Sequence, residues 1–165
     1  MDATRSQLKT KKLTLDGIVL QHQAIHFAPD TMFRWEPETN TITYPKDTAQ
    51  NEQFYFSLFH EIGHAKLMHN SFKSDLELLK IERSAWDTAC CVANTFDVDI
   101  DSDHIESCMD TYRDWLYARS LCPTCKQCGL QTAKTQYSCA FCGAHWKVNA
   151  SRLCRVTRTT IKRSP

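Results

Sequence analysis

Residues 51–69 read NEQFYFSLFHEIGHAKLMH and carry two histidines, His60 and His64, four positions apart. Four positions turn an α-helix through about 400°, so both imidazoles leave the same face and can bind one metal ion. Phe56, Phe59, Ile62, Gly63 and Leu67 recur around them at spacings of three and four, which predicts an apolar helix with one polar site. Gly63 leaves room for a neighbouring element to pack closely. Glu61 sits beside the pair, where a carboxylate can hold and deprotonate a water on the metal rather than join its ligands.

A polar break follows, and Ser74 or Asp75 is suited to cap a second helix running to about Phe96. Its buried stripe is Leu78, Glu82, Ala85, Ala89, Val92 and Phe96, and Glu82 is the one acid on it. An unpaired buried charge costs several kcal/mol, so a metal ion is the natural partner and Glu82 the third ligand. Ala85, nearly one turn later, is small enough to let the two metal-bearing helices approach. Glu77 falls on the solvated side. After an acidic turn, Ile105, Cys108, Met109, Tyr112, Leu116 and Tyr117 mark a third helix, capped by Asp101 or Ser102 and packed under the site. His104 reads as a helix-end residue, and no donor for a developing oxyanion is identifiable.

Upstream, Leu15, Ile18, Val19, Ile25 and Phe27 suggest a short helix on which His22 and His26 lie four apart. A histidine pair without an acid or a cysteine is more often ordinary core or surface chemistry than a metal site. Residues 31–35 and 41–44 are rich in β-formers and bracket Pro37, Glu38, Thr39 and Asn40, which reads as a hairpin. Pro45 suits an edge strand, where an extended peptide could add itself beside the metal site; a hairpin that merely covers the core has equal claim. The fold class expected is α+β: three or four helices with a short antiparallel sheet.

The chain has 165 residues and a net charge of +1, but the charge is segregated. Residues 1–14 form a basic arm of +3. Residues 15–114 hold seven Lys/Arg against eighteen Asp/Glu, and residues 115–165 hold nine Lys/Arg and no acid. Three segments are therefore expected: the arm 1–14, a helical metal-binding domain 15–121 and a basic cysteine module 122–165. No apolar run approaches the ~20 residues of a membrane span, so a cytoplasmic protein with no membrane partner is expected.

Five of the nine cysteines crowd between Cys122 and Cys142 of the module. Cys125-x-x-Cys128-Gly129 and Cys139-x-x-Cys142-Gly143 are two C-x-x-C-G units, and four such thiolates suit a tetrahedral structural zinc. Cys122 with Cys125 is also a C-x-x-C pair, so one of Cys122, Cys125 and Cys128 is left over; the matched glycines favour Cys125 and Cys128. Around them lie Lys126, Lys134, Lys147, Arg152, Arg155 and Arg158 with Tyr137, Phe141 and Trp146 interleaved, a surface able to hold single- or double-stranded DNA or to dock on the chain's own acidic body. A leftover thiol, Cys122, Cys90, Cys91 or Cys108, could fill the open position of the histidine site and hold it latent.

The residues His60 to His69, HEIGHAKLMH, together with Glu82-x-x-Ala85, resemble the ImmA/IrrE-type and minigluzincin metallopeptidases over about residues 30–115. The resemblance implies a zincin-like domain with one catalytic zinc on His60, His64 and Glu82, Glu61 as base, and a C-terminal zinc ribbon carrying a second, structural zinc. It implies a regulatory endopeptidase that cleaves an intracellular protein such as a transcriptional repressor, similar to those of phage-defence operons, with DNA acting through the ribbon. Trp86 departs from the pattern, where asparagine is usual. SprT-type proteases, which act on DNA-bound proteins, also join H-E-x-x-H to a zinc ribbon but use a third histidine. A DNA- or protein-binding module with two structural zincs is the non-enzymatic alternative.

Overall fold

A computed structural model describes residues 13–161; most of the N-terminal basic arm lies outside them. The chain runs α1 (Leu15–Gln21), β1 (His26–Asp30), β2 (Arg34–Glu36), β3 (Thr41–Pro45), α2 (Glu52–Lys66), α3 (Asp75–Asn94), α4 (Ser102–Ser120), then β4 (Leu130–Ala133), β5 (Gln136–Ser138), β6 (His145–Val148) and β7 (Arg158–Ile161). This is an α+β chain. Among the described residues, no helix is long and apolar enough to cross a membrane.

Each helix starts where a short polar side chain meets orphan amides. Asn51 accepts from the Phe54 N–H at 3.0 Å, Ser74 from Glu77 at 3.2 Å, and Asp101 from Asp103 at 3.1 Å. Ser74, not Asp75, is therefore the cap of α3, and Asp75 is free for another task. The end of α2 is a Schellman turn: Met68 takes a left-handed φ of 52°, its N–H donates to Ala65, and the His69 N–H donates to His64 at 3.0 Å.

The sheet corrects two expectations. Residues 34–36 and 41–45 do pair antiparallel around the 37–40 turn, with Trp35 opposite Ile42, but β1 adds to the other side of β3 in parallel. The order β1-β3-β2 makes β3, with Pro45, the central strand; β2 and β1 are the edges. The supposed helix 15–27 stops at Gln21, with His22 its C-cap, because Ile25 and Phe27 follow a period of two and pair through β1. His22 and His26 thus share no helical face and form no metal pair.

One core joins α1, the sheet, α2, α3 and the start of α4 through Ile18, Ile42, Leu58, Phe59, Ile62, Trp86, Ala89 and Met109. The tightest approach is α2 on α3. A Cβ at Gly63 would lie 2.2 Å from the Ala85 carbonyl oxygen, so only glycine admits this contact. Tyr117, placed on the apolar stripe of α4 by spacing, is 58 % exposed; Trp115 and Arg119 take the buried positions instead.

The second, smaller core is Cys122, Tyr137, Cys139, Trp146 and Val148, with Tyr137 stacked on Trp146 at 5.6 Å. It is gripped at the first residue of α3. Asp75 accepts from the side chains of Gln131 and Tyr137, and its main-chain N–H donates to Gln131 Oε1 at 2.9 Å. Arg119, 1 % exposed, lies 3.6 Å from Asp75, stacks on Trp115 at 4.2 Å and donates to the Lys134 carbonyl at 2.7 Å. The basic module is thus anchored to the helix that carries Glu82.

Candidate metal centres and cleft

His60 and His64 leave one face of α2, and Glu82 reaches them from α3. His60 Nε2 lies 3.1 Å from His64 Nε2 and 3.2 Å from Glu82 Oε2; His64 Nε2 lies 3.5 Å from the same oxygen. A tetrahedral zinc with bonds of about 2.0–2.1 Å spaces its ligand atoms at roughly 3.3–3.4 Å, so these edges fit one ion. The chemistry of the group agrees: two imidazole nitrogens and a 6 % exposed carboxylate face a common point and need positive charge between them. Burial alone would raise the Glu82 pKa, but the His60 and His64 rings beside it outweigh burial and hold the carboxyl well below the usual range.

The two rings are supported differently. His60 stacks on Trp86 at 4.3 Å, and among the described residues its Nδ1 has no hydrogen-bond partner. Trp86 lies one turn beyond Glu82 on α3, and this i, i+4 spacing is the sequence signal that places it beside the site. His64 instead turns Nδ1 to His69, 2.9 Å away.

Glu61 lines a cavity of about 250 Å³ with His60, His64, Glu82, His69, Tyr112 and the β2 residues Arg34 and Trp35. Burial pushes the Glu61 pKa up, against a downward pull from His60 and His64 and the Trp35 main-chain N–H. Tyr112, read from sequence as a packing residue, opens onto the same cavity. Burial, with Glu82 adding to it, keeps its phenol protonated, so it offers an O–H donor where none was expected.

A second cavity of about 200 Å³ adjoins the first and is bounded by Ser57, Trp86, Cys108, Thr111 and Arg152. Arg152 comes from the cysteine module: its guanidinium lies 3.9 Å over the Tyr112 ring and donates to Thr111 Oγ1 at 3.0 Å. Both bodies therefore build the cleft.

No thiol joins the histidine group. The group is His60, His64 and Glu82 alone among the described residues, and the expected latency thiols lie elsewhere. Cys90 and Cys91 sit about 12 Å farther along the same helix by its rise per residue. Cys108 borders the second cavity, 3.7 Å from His104 Nε2, and Cys122 belongs to another cluster.

That cluster is Cys122, Cys125, Cys139 and Cys142, a group able to hold a metal ion. Cys122 takes the place expected of Cys128. The sulfurs of Cys122 and Cys142 are 3.6 Å apart and those of Cys125 and Cys139 3.5 Å, against roughly 3.8 Å for a zinc tetrathiolate with bonds of about 2.3 Å. Two matching turns bring them there. Lys126 N–H donates to Cys122 and Gly143 N–H to Cys139, with left-handed φ of 65° and 72° at the two donors. The sequence misleads because Lys126, not a glycine, takes the strained position in the first turn. Gly129 serves packing: a Cβ there would lie 2.1 Å from the Trp146 ring. Cys128 is left exposed.

The four thiols sit in unlike electrostatic surroundings. The Gln127 main-chain N–H favours the Cys125 thiolate, yet burial and the neighbouring sulfurs outweigh it and push the thiol up to about 12. Burial would raise Cys122 as well, but the amides of Cys125 and Thr124 bring it down to about 6.

The basic side chains are largely engaged. Lys134 lies 4.6 Å over Phe72, Arg152 covers Tyr112, Arg158 donates to the Ala118 and Leu121 carbonyls, and Lys126 donates to Pro123. Lys147 and Arg155 remain exposed, as does Phe141 at 82 %. No protein family, curated protein or solved structure matches the chain.

Proposed function

We propose that the chain is a zinc-dependent endopeptidase of the ImmA/IrrE or minigluzincin type: a zincin-like domain with a C-terminal zinc ribbon, acting on an intracellular protein such as a transcriptional repressor. The observation that carries this reading is the triangle of His60, His64 and Glu82 with Glu61 beside it, at the floor of a cleft bordered by an edge strand. A carboxylate at the third corner favours this type over a SprT-like protease, whose third ligand is histidine.

His60, His64 and Glu82 would hold the catalytic zinc, and Cys122, Cys125, Cys139 and Cys142 the structural one. Bound at the first site, zinc supplies Lewis acidity toward a peptide carbonyl and toward water. The remaining steps belong to the chain. The free edge of β2 offers main-chain groups to an extended peptide and lays it along the cavity. Glu61, its basicity raised by burial, takes the proton of the attacking water and passes it to the leaving amine as the C–N bond breaks. The protonated Tyr112 hydroxyl donates toward the carbonyl oxygen as charge develops there. Arg152 fixes the Tyr112 ring from the ribbon side, which makes the ribbon part of the cleft. A nucleic acid on the ribbon would meet Lys147, Arg155 and Phe141 first, since Lys126, Lys134, Arg152 and Arg158 are held by other groups of the chain.

Co-expression with the products of neighbouring genes tests the proposal. A fragment that forms with the wild type and disappears with Glu61→Gln, while zinc content is kept, supports a peptidase; an unchanged fragment pattern refutes it.

A further inference from the structure

His69 lies outside the metal triangle, yet both its main chain and its ring are held by hydrogen bonds. Its main-chain N–H donates to the His64 carbonyl at 3.0 Å, and its own carbonyl accepts from Trp35 Nε1 at 2.8 Å. The Schellman turn, with Met68 left-handed, is what folds a residue five positions on back against His64. Its ring then bridges two side chains: Nδ1 is 2.9 Å from His64 Nδ1, and Nε2 is 3.3 Å from Ser84 Oγ.

Proton counting gives this bridge a direction. Ser84 has one hydroxyl proton and gives it to the Ile81 carbonyl at 2.9 Å, so toward His69 it accepts. His69 Nε2 therefore carries a hydrogen. In the neutral ring, Nδ1 is then an acceptor, and the proton in the 2.9 Å contact belongs to His64 Nδ1. That assignment leaves the lone pair of His64 on Nε2, the atom that faces His60 and Glu82. A chain of three hydrogen bonds, anchored on the α3 backbone, thus selects the tautomer of a ligand on α2.

We infer that His69 is a positioning residue, which fixes the ring and the tautomer of His64 so that Nε2 is presented as a metal ligand. This rests on the reading of His60, His64 and Glu82 as a zinc site. It also explains an asymmetry in that site: behind the His60 ring lies the stack on Trp86 and, among the described residues, no partner at Nδ1, so directional support at Nδ1 falls on His64. Trp35, on the edge strand, holds the same residue through its carbonyl, which ties the strand bordering the cleft to the ligand's support.

The test uses the full chain. Zinc affinity at the histidine site is measured by chelator competition for wild type, His69→Phe, His69→Asn and Ser84→Ala. Loss of a partner behind a metal-bound histidine typically costs about 10–100-fold in affinity, and that loss is expected for His69→Phe. His69→Asn places an acceptor oxygen near the lost Nδ1 and is expected to restore most of it, and Ser84→Ala to give a smaller loss. A far-ultraviolet circular dichroism spectrum and a thermal midpoint matching the wild type show that the helical fold is intact in each variant. Long-range proton–nitrogen NMR of the wild type reads the tautomers directly: His69 protonated on Nε2 and His64 on Nδ1. Equal affinity in His69→Phe, no rescue by asparagine, or His69 protonated on Nδ1 overturns the inference. A wild type that binds zinc only at the thiols overturns the metal-centre reading itself, and the two failures are distinct because the NMR result does not depend on the second zinc.

Discussion

Replacing Gly63 by alanine asks whether helix packing sets the geometry of the histidine site. The added Cβ would meet the Ala85 carbonyl oxygen at 2.2 Å, its carbon at 3.0 Å and its Cα at 3.2 Å, all backbone atoms that no rotamer change can move. Ordinary contact needs about 3.5 Å, so α2 and α3 must part locally by about 1 Å. Overpacking of this kind costs about 1–3 kcal/mol, which for a chain of this size lowers Tm by about 3–10 °C. Glu82 stands on the displaced helix, three residues from the contact. Its 3.2 and 3.5 Å spacings to His60 and His64 would open beyond a zinc coordination edge. Thermal unfolding followed by circular dichroism, with zinc counted per chain, should show both effects: a lower Tm and loss of the histidine-site zinc, with the thiol-site zinc kept. A variant that melts within about a degree of the wild type and keeps both ions would refute the idea that this contact positions the third ligand.

Other outcomes follow from the same contacts. Cys122→Ser should release the module's metal and unfold it, whereas Cys128→Ser should leave it intact; the fluorescence of the buried Trp146 reports which occurs. Asp75→Ala removes the partner of the buried Arg119 and should destabilise by about 3 kcal/mol, measured by urea unfolding, because the guanidinium is left uncompensated. Chelation of zinc at neutral pH should unfold the module while the helical core keeps its far-ultraviolet signal, since a metal holding four close thiols would supply much of so small a module's folding energy. Trp86→Leu, which removes the stack on His60 without touching a ligand, should weaken zinc at the histidine site by several-fold in the same competition assay.

Much of the helical half was readable from spacing. Ser74 and Asp101 announce their helices, and the lone acid Glu82 on an apolar stripe is placed where a periodic helix puts it. What failed was non-local. Strand β1 is defined by pairing with a segment fifteen residues away, and a run as short as Ile25 to Phe27 carries too little pattern to announce a strand. The choice of Cys122 over Cys128 turned on which residue accepts a positive φ, and Lys126 does so against its intrinsic preference. Tyr112 and Arg152 reveal themselves only when the second body closes on the first. Charge segregation showed that the two bodies could attract, but not that Asp75, Arg119 and Arg152 would carry the contact.

Zinc content of the purified chain, by native mass spectrometry, bears most directly on the central claim. The wild type should carry two zinc ions, and a His60→Ala/His64→Ala double variant one, held by Cys122, Cys125, Cys139 and Cys142. A wild type with a single ion, or a double variant that still holds two, would contradict a metal centre built on His60, His64 and Glu82.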